Sequence, residues 1–190
     1  MGKKYKIILS DPAWTYKDKA QAGKRGVNFK YPLLSINEIK KLPVGRIAAD
    51  TSILFLWATS PLLKEALETI DAWGFAYKTV GFVWVKKNKK TPTNFWGMGH
   101  YTRSNAEFVL IGTKGKTRDL IASHKIHQII ESPIDIHSRK PKIVRKKIET
   151  LCKKGSKIEI FATEKTDNWD AIGYRVDNKD IRQALIDISK

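Results

Sequence analysis

Several stretches of this sequence are apolar without interruption: Ile7-Ile8-Leu9, Ile53-Leu54-Phe55-Leu56-Trp57, Phe82-Val83-Trp84-Val85 and Phe108-Val109-Leu110-Ile111. A strand with one wet face alternates apolar and polar residues, so runs without alternation belong to strands covered on both faces. Between them the spacing changes. Leu63, Ala66, Leu67, Ile70 and Trp73 recur three and four apart, as do Val144, Ile148 and Leu151, which places each set on one side of a helix. Doubly covered strands alternating with helices give an α/β fold, with a mostly parallel central sheet and helices on both faces.

The pattern places strands over 5–9, 52–57, 79–86, 107–111 and 157–162, with shorter ones over 126–130 and 172–176. Ser35-Ile36-Asn37-Glu38 is a capping box opening a short helix that stops near Pro43. Ser60 as N-cap, Pro61 behind it and Gly74 at the far end bracket a second helix. A third starts at Pro141 and ends at Gly155, and a fourth covers 180–188. With 190 residues and neither repeat nor linker, the expectation is one domain over 1–190. Residues 15–34 and 87–104 are long, polar, basic loops, of a length that often carries function.

Charge narrows the choice of partner. Lys and Arg number 36 against 19 Asp and Glu, a net charge of +17. Such an excess attracts polyanions through counterion release, with nucleic acid the natural candidate. A thermophile's charged surface would raise Glu together with Lys, which is not the pattern here. The first loop carries Lys17, Lys19, Lys24, Arg25 and Lys30. The second, taken from the strand's last residue as 86–104, carries Lys86, Lys87, Lys89, Lys90 and Arg103, with Phe95, Trp96 and Tyr101 interleaved to stack on unpaired bases. Apolar runs fall far short of the roughly 20 residues that span a bilayer, so no membrane partner is expected. The N-terminus leads into a strand and not into a leader's apolar core. Cys152 is the single cysteine, which excludes an internal disulfide and points to a cytoplasmic setting.

Several motifs fail on inspection. Gly112-Thr113-Lys114-Gly115-Lys116-Thr117 resembles a phosphate-binding loop, but Leu110 stands where the leading glycine belongs. His124 and His127 have helical metal-ligand spacing without a third ligand, so no metal is expected. Neither a G-x-S-x-G elbow nor a G-x-G-x-x-G fingerprint is present.

Asp11-Pro12-Ala13-Trp14 sits at the carboxyl end of the first strand, where open α/β sheets bind ligands. Asp11 is an acceptor-only carboxylate. Pro12 stiffens the turn and leaves its carbonyl as a second acceptor, and Trp14 adds a flat face. Two acceptors beside an aromatic plate suit a planar group bearing –NH2, such as the exocyclic amine of adenine or cytosine. Accepting both hydrogens orients the amine and draws its nitrogen toward a tetrahedral, nucleophilic form.

These four residues, with an ordered series of others, resemble the MT-A70 family of S-adenosylmethionine-dependent adenine N6-methyltransferases, especially its small bacterial and phage members. The family's D-P-P-W is similar to Asp11-Pro12-Ala13-Trp14. Leu54-Phe55-Leu56-Trp57-Ala58-Thr59-Ser60-Pro61 resembles its LFLW-x-T-x-P segment, and Ala72-Trp73-Gly74-Phe75 and Val83-Trp84-Val85-Lys86 resemble AWGF and VWVK. Glu107 to Gly115 matches an E-x-x-L-x-G-x-x-G strand and turn, and His137-Ser138-Arg139-Lys140-Pro141 its HSRKP element. Ile158 to Ala162 and Asn168-Trp169 through Gly173 resemble the ELFA and W-x-x-x-G endings.

The resemblance implies a Rossmann-like methyltransferase fold, S-adenosylmethionine as cofactor, and methylation of adenine N6 in nucleic acid, DNA preferred over RNA. By the same resemblance Asp11, Pro12 and Trp14 are catalytic, and Trp14, Tyr16, Glu107 and Lys140 contact the substrate. Asp11, Lys140, Glu159, Phe161, Thr163, Asn168 and Tyr174 hold the cofactor. The target base is flipped or unpaired. Trp57, Trp73 and Trp84, inside apolar runs, are read as core. Ala13, Thr163, Glu164 and Tyr174 depart from the family pattern and bear on cofactor affinity more than on reaction type. RNA methylation, and a non-catalytic nucleic-acid-binding subunit of the same fold, are the alternatives. A homodimer or a partner subunit is left open.

Overall fold

The computed structural model describes residues 2–14, 34–135 and 139–190. Its strands are β1 (Tyr5–Ser10), β2 (Ala48–Thr59), β3 (Ala76–Lys87), β4 (Ala106–Lys114), β5 (Ile129–Pro133), β6 (Lys157–Ile160) and β7 (Asp170–Ile172). Its helices are α1 (Ile36–Lys40), α2 (Val44–Ile47), α3 (Leu63–Ala72), α4 (Ile143–Leu151), α5 (Tyr174–Asp177) and α6 (Ile181–Ser189). The strands form one sheet in the order β5-β3-β4-β2-β1-β6-β7. β1 lies parallel to β2 and β6, β6 to β7, and β3 to β5, whereas β4 runs antiparallel to both β2 and β3. The sheet is thus mostly parallel, as expected, with β4 the one reversed strand.

Side chains along a strand alternate between faces, and β2 shows how the two cores are fed. Leu54, Leu56 and Ala58 meet α1, α2, α3 and α6, while Ile53, Phe55 and Trp57 meet α4 on the other face. In β1 the N–H groups of Lys6 and Ile7 both donate to the Ser156 carbonyl at 3.1 Å. That irregularity puts Tyr5 and Ile8 on the same face despite their odd spacing. No helix among the described residues is long and apolar enough to cross a membrane.

Helix ends follow local chemistry. The Ser35–Glu38 capping box forms with both of its reciprocal bonds. Gly74 takes φ +80°, the Gly74 N–H donates to Asp71 and the Phe75 N–H to Ile70, closing α3 in a Schellman motif. Among the boundaries that differ from the reading of the sequence, four have a local cause. Ser60 makes no capping bond, because a 3-10 turn over Ser60–Leu62 leads into α3. The strand expected over 126–130 begins at Ile129, because it follows its pairing with Val83 to Lys87. The strand expected over 172–176 ends at Ile172, and Tyr174 to Asp177 is a helical turn. α4 stops at Leu151, where Cys152 turns to pair with Ile121.

Six strands end at one edge of the sheet, where β4 begins. Ser10 pairs with Leu56 and Ile160, the last ladder contacts of β1. Asp11 therefore emerges between the ends of β2 and β6, its N–H donating to the Ile160 carbonyl at 3.4 Å.

Candidate active site

A cleft of about 280 Å3 opens at that edge, close to the lower end of the size range for small-molecule sites. Asp11, Pro12, Trp14, Glu107, Lys140, Phe161, Thr163 and Tyr174 line it, joined by Trp57, Thr59 and Ile181. Most of the expected site residues thus come together, although residues 11, 107 and 140 are far apart in the chain.

The acidic and basic members form a ladder. The Lys140 ammonium lies 2.8 Å from Asp11 Oδ2 and 3.3 Å from Glu107 Oε2. The other oxygen of Glu107 meets the Lys86 ammonium at 2.5 Å. Four charges of alternating sign are thereby balanced in a site of limited water access. Two indoles support them: Lys140 stands 5.4 Å from the Trp57 ring and Lys86 5.2 Å from the Trp84 ring. Those two rings meet edge to face at 6.2 Å. Glu107 is placed by its register, opposite Thr59 on β2 and Trp84 on β3.

Burial pushes the Asp11 carboxyl above its usual range, an effect that Lys140 opposes without cancelling. Burial also acts on Glu107, but Lys140 and then Lys86 outweigh it and hold that carboxyl below its usual range. Burial alone would lower Lys140, yet the two carboxylates raise it above an ordinary lysine. At neutral pH the ladder therefore keeps Lys140 charged and Glu107 ionised. Asp11 is left as the carboxyl whose proton affinity is enhanced.

Trp14 is oriented by two bonds. Its indole N–H donates to the Trp57 carbonyl at 3.0 Å, and its backbone N–H donates to the Pro12 carbonyl at 2.8 Å. The Pro12 oxygen is therefore not free, as the sequence suggested. The tight turn through Ala13 occupies one of its two lone pairs and leaves one for a ligand.

The opposite wall follows β6. Phe161 has φ +63°, a left-handed conformation rare for a bulky side chain and costing about 1–3 kcal/mol. It is held there by the Ala162 N–H bonding to the Ile172 carbonyl and by the close approach of Gly173. A Cβ on Gly173 would stand 2.5 Å from the Ala162 oxygen, so only glycine lets Tyr174 enter α5 beside the cleft.

Other expected members lie elsewhere. Glu159 does not line the cleft: both its oxygens accept from Arg145, at 2.6 and 3.1 Å, behind the wall. Asn168 is exposed with φ +64°, in the turn before β7, where asparagine tolerates the left-handed region. Tyr16, the loop at 15–33 with its five basic residues, and His137 and Ser138 lie outside the described residues. Trp57, Trp73 and Trp84 are buried as expected, with Trp57 also flooring the cleft.

Two residues have structural roles that the sequence does not fix. Lys86, grouped with the basic loop, belongs to the charge ladder; its place at the end of an apolar strand was the available signal. Arg145, on the polar side of a helix where a solvated face and a contact are equally open from sequence, is 8% exposed and ties Glu159 to Glu164, thereby fixing the turn that carries Thr163. Helical periodicity could not show a carboxylate arriving from β6.

The chain is similar in sequence to known methyltransferases. A family model described as MT-A70 matches residues 5–175. The chain is 35% identical over 194 residues to type II methyltransferase M.MunI of Mycoplasma sp, covering 93% of this chain and 80% of that one. It is 23% identical over 189 residues to the human (Homo sapiens) N(6)-adenine-specific methyltransferase METTL4, covering 92% of this chain and 38% of that one.

Proposed function

The chain belongs to the MT-A70 family, and from that premise we propose that it methylates the N6 amine of adenine in nucleic acid, with S-adenosylmethionine as donor and DNA as the preferred polymer. The observation that carries the reading is the pairing of two directed acceptors with an oriented indole. Lys140 engages Oδ2 of Asp11, so Oδ1 remains to accept one amine hydrogen. The second lone pair of the Pro12 carbonyl accepts the other. Trp14, fixed through Trp57, provides the stacking face for the base.

The wall opposite fits the cofactor. Phe161, Thr163 and Tyr174 would hold its adenosine portion, on a wall whose course depends on Gly173, where a Cβ would press on the Ala162 backbone. When bound, the cofactor supplies an electrophilic methyl on a sulfonium. Lys140 lines the same cleft, and its ion pairs keep Asp11 and Glu107 in place as acceptors.

Asp11 acts at both ends of the reaction. Before transfer its carboxylate orients the amine, which is worth more in a dry site than in water. After transfer the nitrogen is cationic and strongly acidic, and Asp11, with its raised proton affinity, is placed to receive the departing proton. The proton is lost late, so a strong base is not required. The adenine reaches this recessed edge only when unpaired or rotated out of a duplex.

The test is transfer of labelled methyl from S-adenosylmethionine to duplex DNA, single-stranded DNA and structured RNA in parallel, with the modified nucleoside identified after digestion. N6-methyldeoxyadenosine is expected. N6-methyladenosine from RNA alone would transfer the reading to RNA. No transfer and no cofactor binding would leave a non-catalytic nucleic-acid-binding subunit.

A further inference from the structure

The connection between β3 and β4 leaves the sheet at the edge that holds the cleft and folds back as a narrow finger. The Phe95 N–H donates to the Lys86 carbonyl at 2.8 Å and the Gly97 N–H to the Ser104 carbonyl at 2.9 Å. A Cβ on Gly97 would stand 2.2 Å from the Ser104 oxygen, and one on Gly99 2.0 Å from the Thr102 oxygen. The two legs can lie this close only because glycine occupies both places. The tip falls at His100 and Tyr101.

The finger exposes what a soluble surface normally hides. Tyr101 is fully exposed, Met98 is 88% exposed and Trp96 66%. Lys90 and Arg103 stand among them without a carboxylate partner among the described residues, and the Arg103 guanidinium reaches the Met98 sulfur at 3.9 Å. Large apolar groups clustered on a surface mark a binding site. Cations interleaved with them, on a chain of net charge +17, call for an occupant anionic outside and flat and apolar within. A nucleic-acid duplex has that chemistry.

We propose that this finger opens the duplex, with Tyr101 entering the base stack at the place the extruded adenine leaves and Trp96 stacking beside it. The inference rests on the reading of the cleft as an adenine methylation site. Its reach is adequate: the six residues from Glu107 in the cleft to Tyr101 extend at most about 20 Å, against a major groove about 12 Å wide. Wedges of this kind unstack base steps and so lower the barrier to extrusion. A substrate already single-stranded needs no such help.

The experiment compares the intact wild-type chain with Tyr101→Ala on one long mixed-sequence DNA, as duplex and after heat denaturation. Transfer to the duplex is expected to fall about tenfold or more in kcat/KM, the scale of a lost stacking contact, and transfer to the denatured form by less than about threefold. Equal losses on both forms, no loss on the duplex, or wild-type transfer confined to denatured DNA would overturn the proposal. So would sedimentation showing that Tyr101→Ala splits a dimer, since the finger would then bind a second copy. If the wild-type protein methylates no polymer, the methylation reading fails separately, and the finger is judged by tryptophan emission. Quenching by duplex that Trp96→Phe abolishes supports the finger, and quenching that Trp96→Phe leaves unchanged overturns it.

Discussion

Replacing Lys140 with methionine removes the cation shared by two carboxylates and keeps most of the side chain's length. At an effective dielectric of 20, the 2.8 Å contact with Asp11 represents about 6 kcal/mol of gross attraction, and the 3.3 Å contact with Glu107 about 5 kcal/mol. Desolvation of the ammonium and repulsion between the carboxylates offset most of this. Breaking a buried pair typically costs about 3–5 kcal/mol, and these groups keep roughly a fifth of their surface wet, so a loss of about 3 kcal/mol is expected. The loss must depend on pH. Asp11 titrates above its ordinary value in the folded protein, so its protonated form favours folding, and that contribution disappears as pH rises through the folded value. Without Lys140 the value rises further. Glu107, which Lys140 and Lys86 hold low against burial, rises as well. The variant should therefore be far less stable than wild type at pH 8 and recover much of the difference by pH 5, as protons replace the missing cation. Each extra proton bound changes stability by about 1.4 kcal/mol per pH unit. Urea midpoints followed by circular dichroism at the two pH values measure this. A deficit of the same size at both, or a variant as stable as wild type at pH 8, would refute the ladder as the organiser of the site.

Other perturbations probe the remaining walls. Trp14→Phe keeps an aromatic face but loses the indole bond to Trp57, so kcat/KM should fall about tenfold with the melting temperature nearly unchanged. Gly173→Ala forces a methyl against the Ala162 backbone, and calorimetry should show cofactor affinity reduced by about 1–3 kcal/mol. Arg145→Met strands Glu159 and should destabilise by about 3–5 kcal/mol in chemical denaturation. Adding Glu159→Leu should restore most of that loss, which a pure packing defect would not allow.

Fold class was legible because unbroken apolar runs report burial on both faces, as Ile53 to Trp57 show by feeding two separate cores. Strand direction was not, since an apolar run carries no arrow. The reversal of β4 is set by the connection after Lys87, whose paired glycines the sequence displayed without their partners. α2 escaped notice because four residues are too few for a helical period to register. In the site, Asp11 and Trp14 were readable from one short motif at a strand end. The charge ladder was not, because its members come from β3, β4 and the segments after β1 and β5, and only pairing brings them within reach. Glu159 and Asn168 resemble contact residues by position but do not line the cleft: Glu159 is engaged by the buried Arg145, and Asn168 stands in a left-handed turn.

The central claim is that Asp11 and the Pro12 carbonyl jointly hold the adenine amine. A crystal structure of the protein with an adenosine whose N6 is tethered to an S-adenosylmethionine analogue measures this directly. The account predicts N6 within about 2.7–3.2 Å of Asp11 Oδ1 and of the Pro12 oxygen, the base lying against Trp14 and Lys140 still bonded to Asp11. An amine held by other groups, or Lys140 displaced from Asp11 to the ligand, would contradict it.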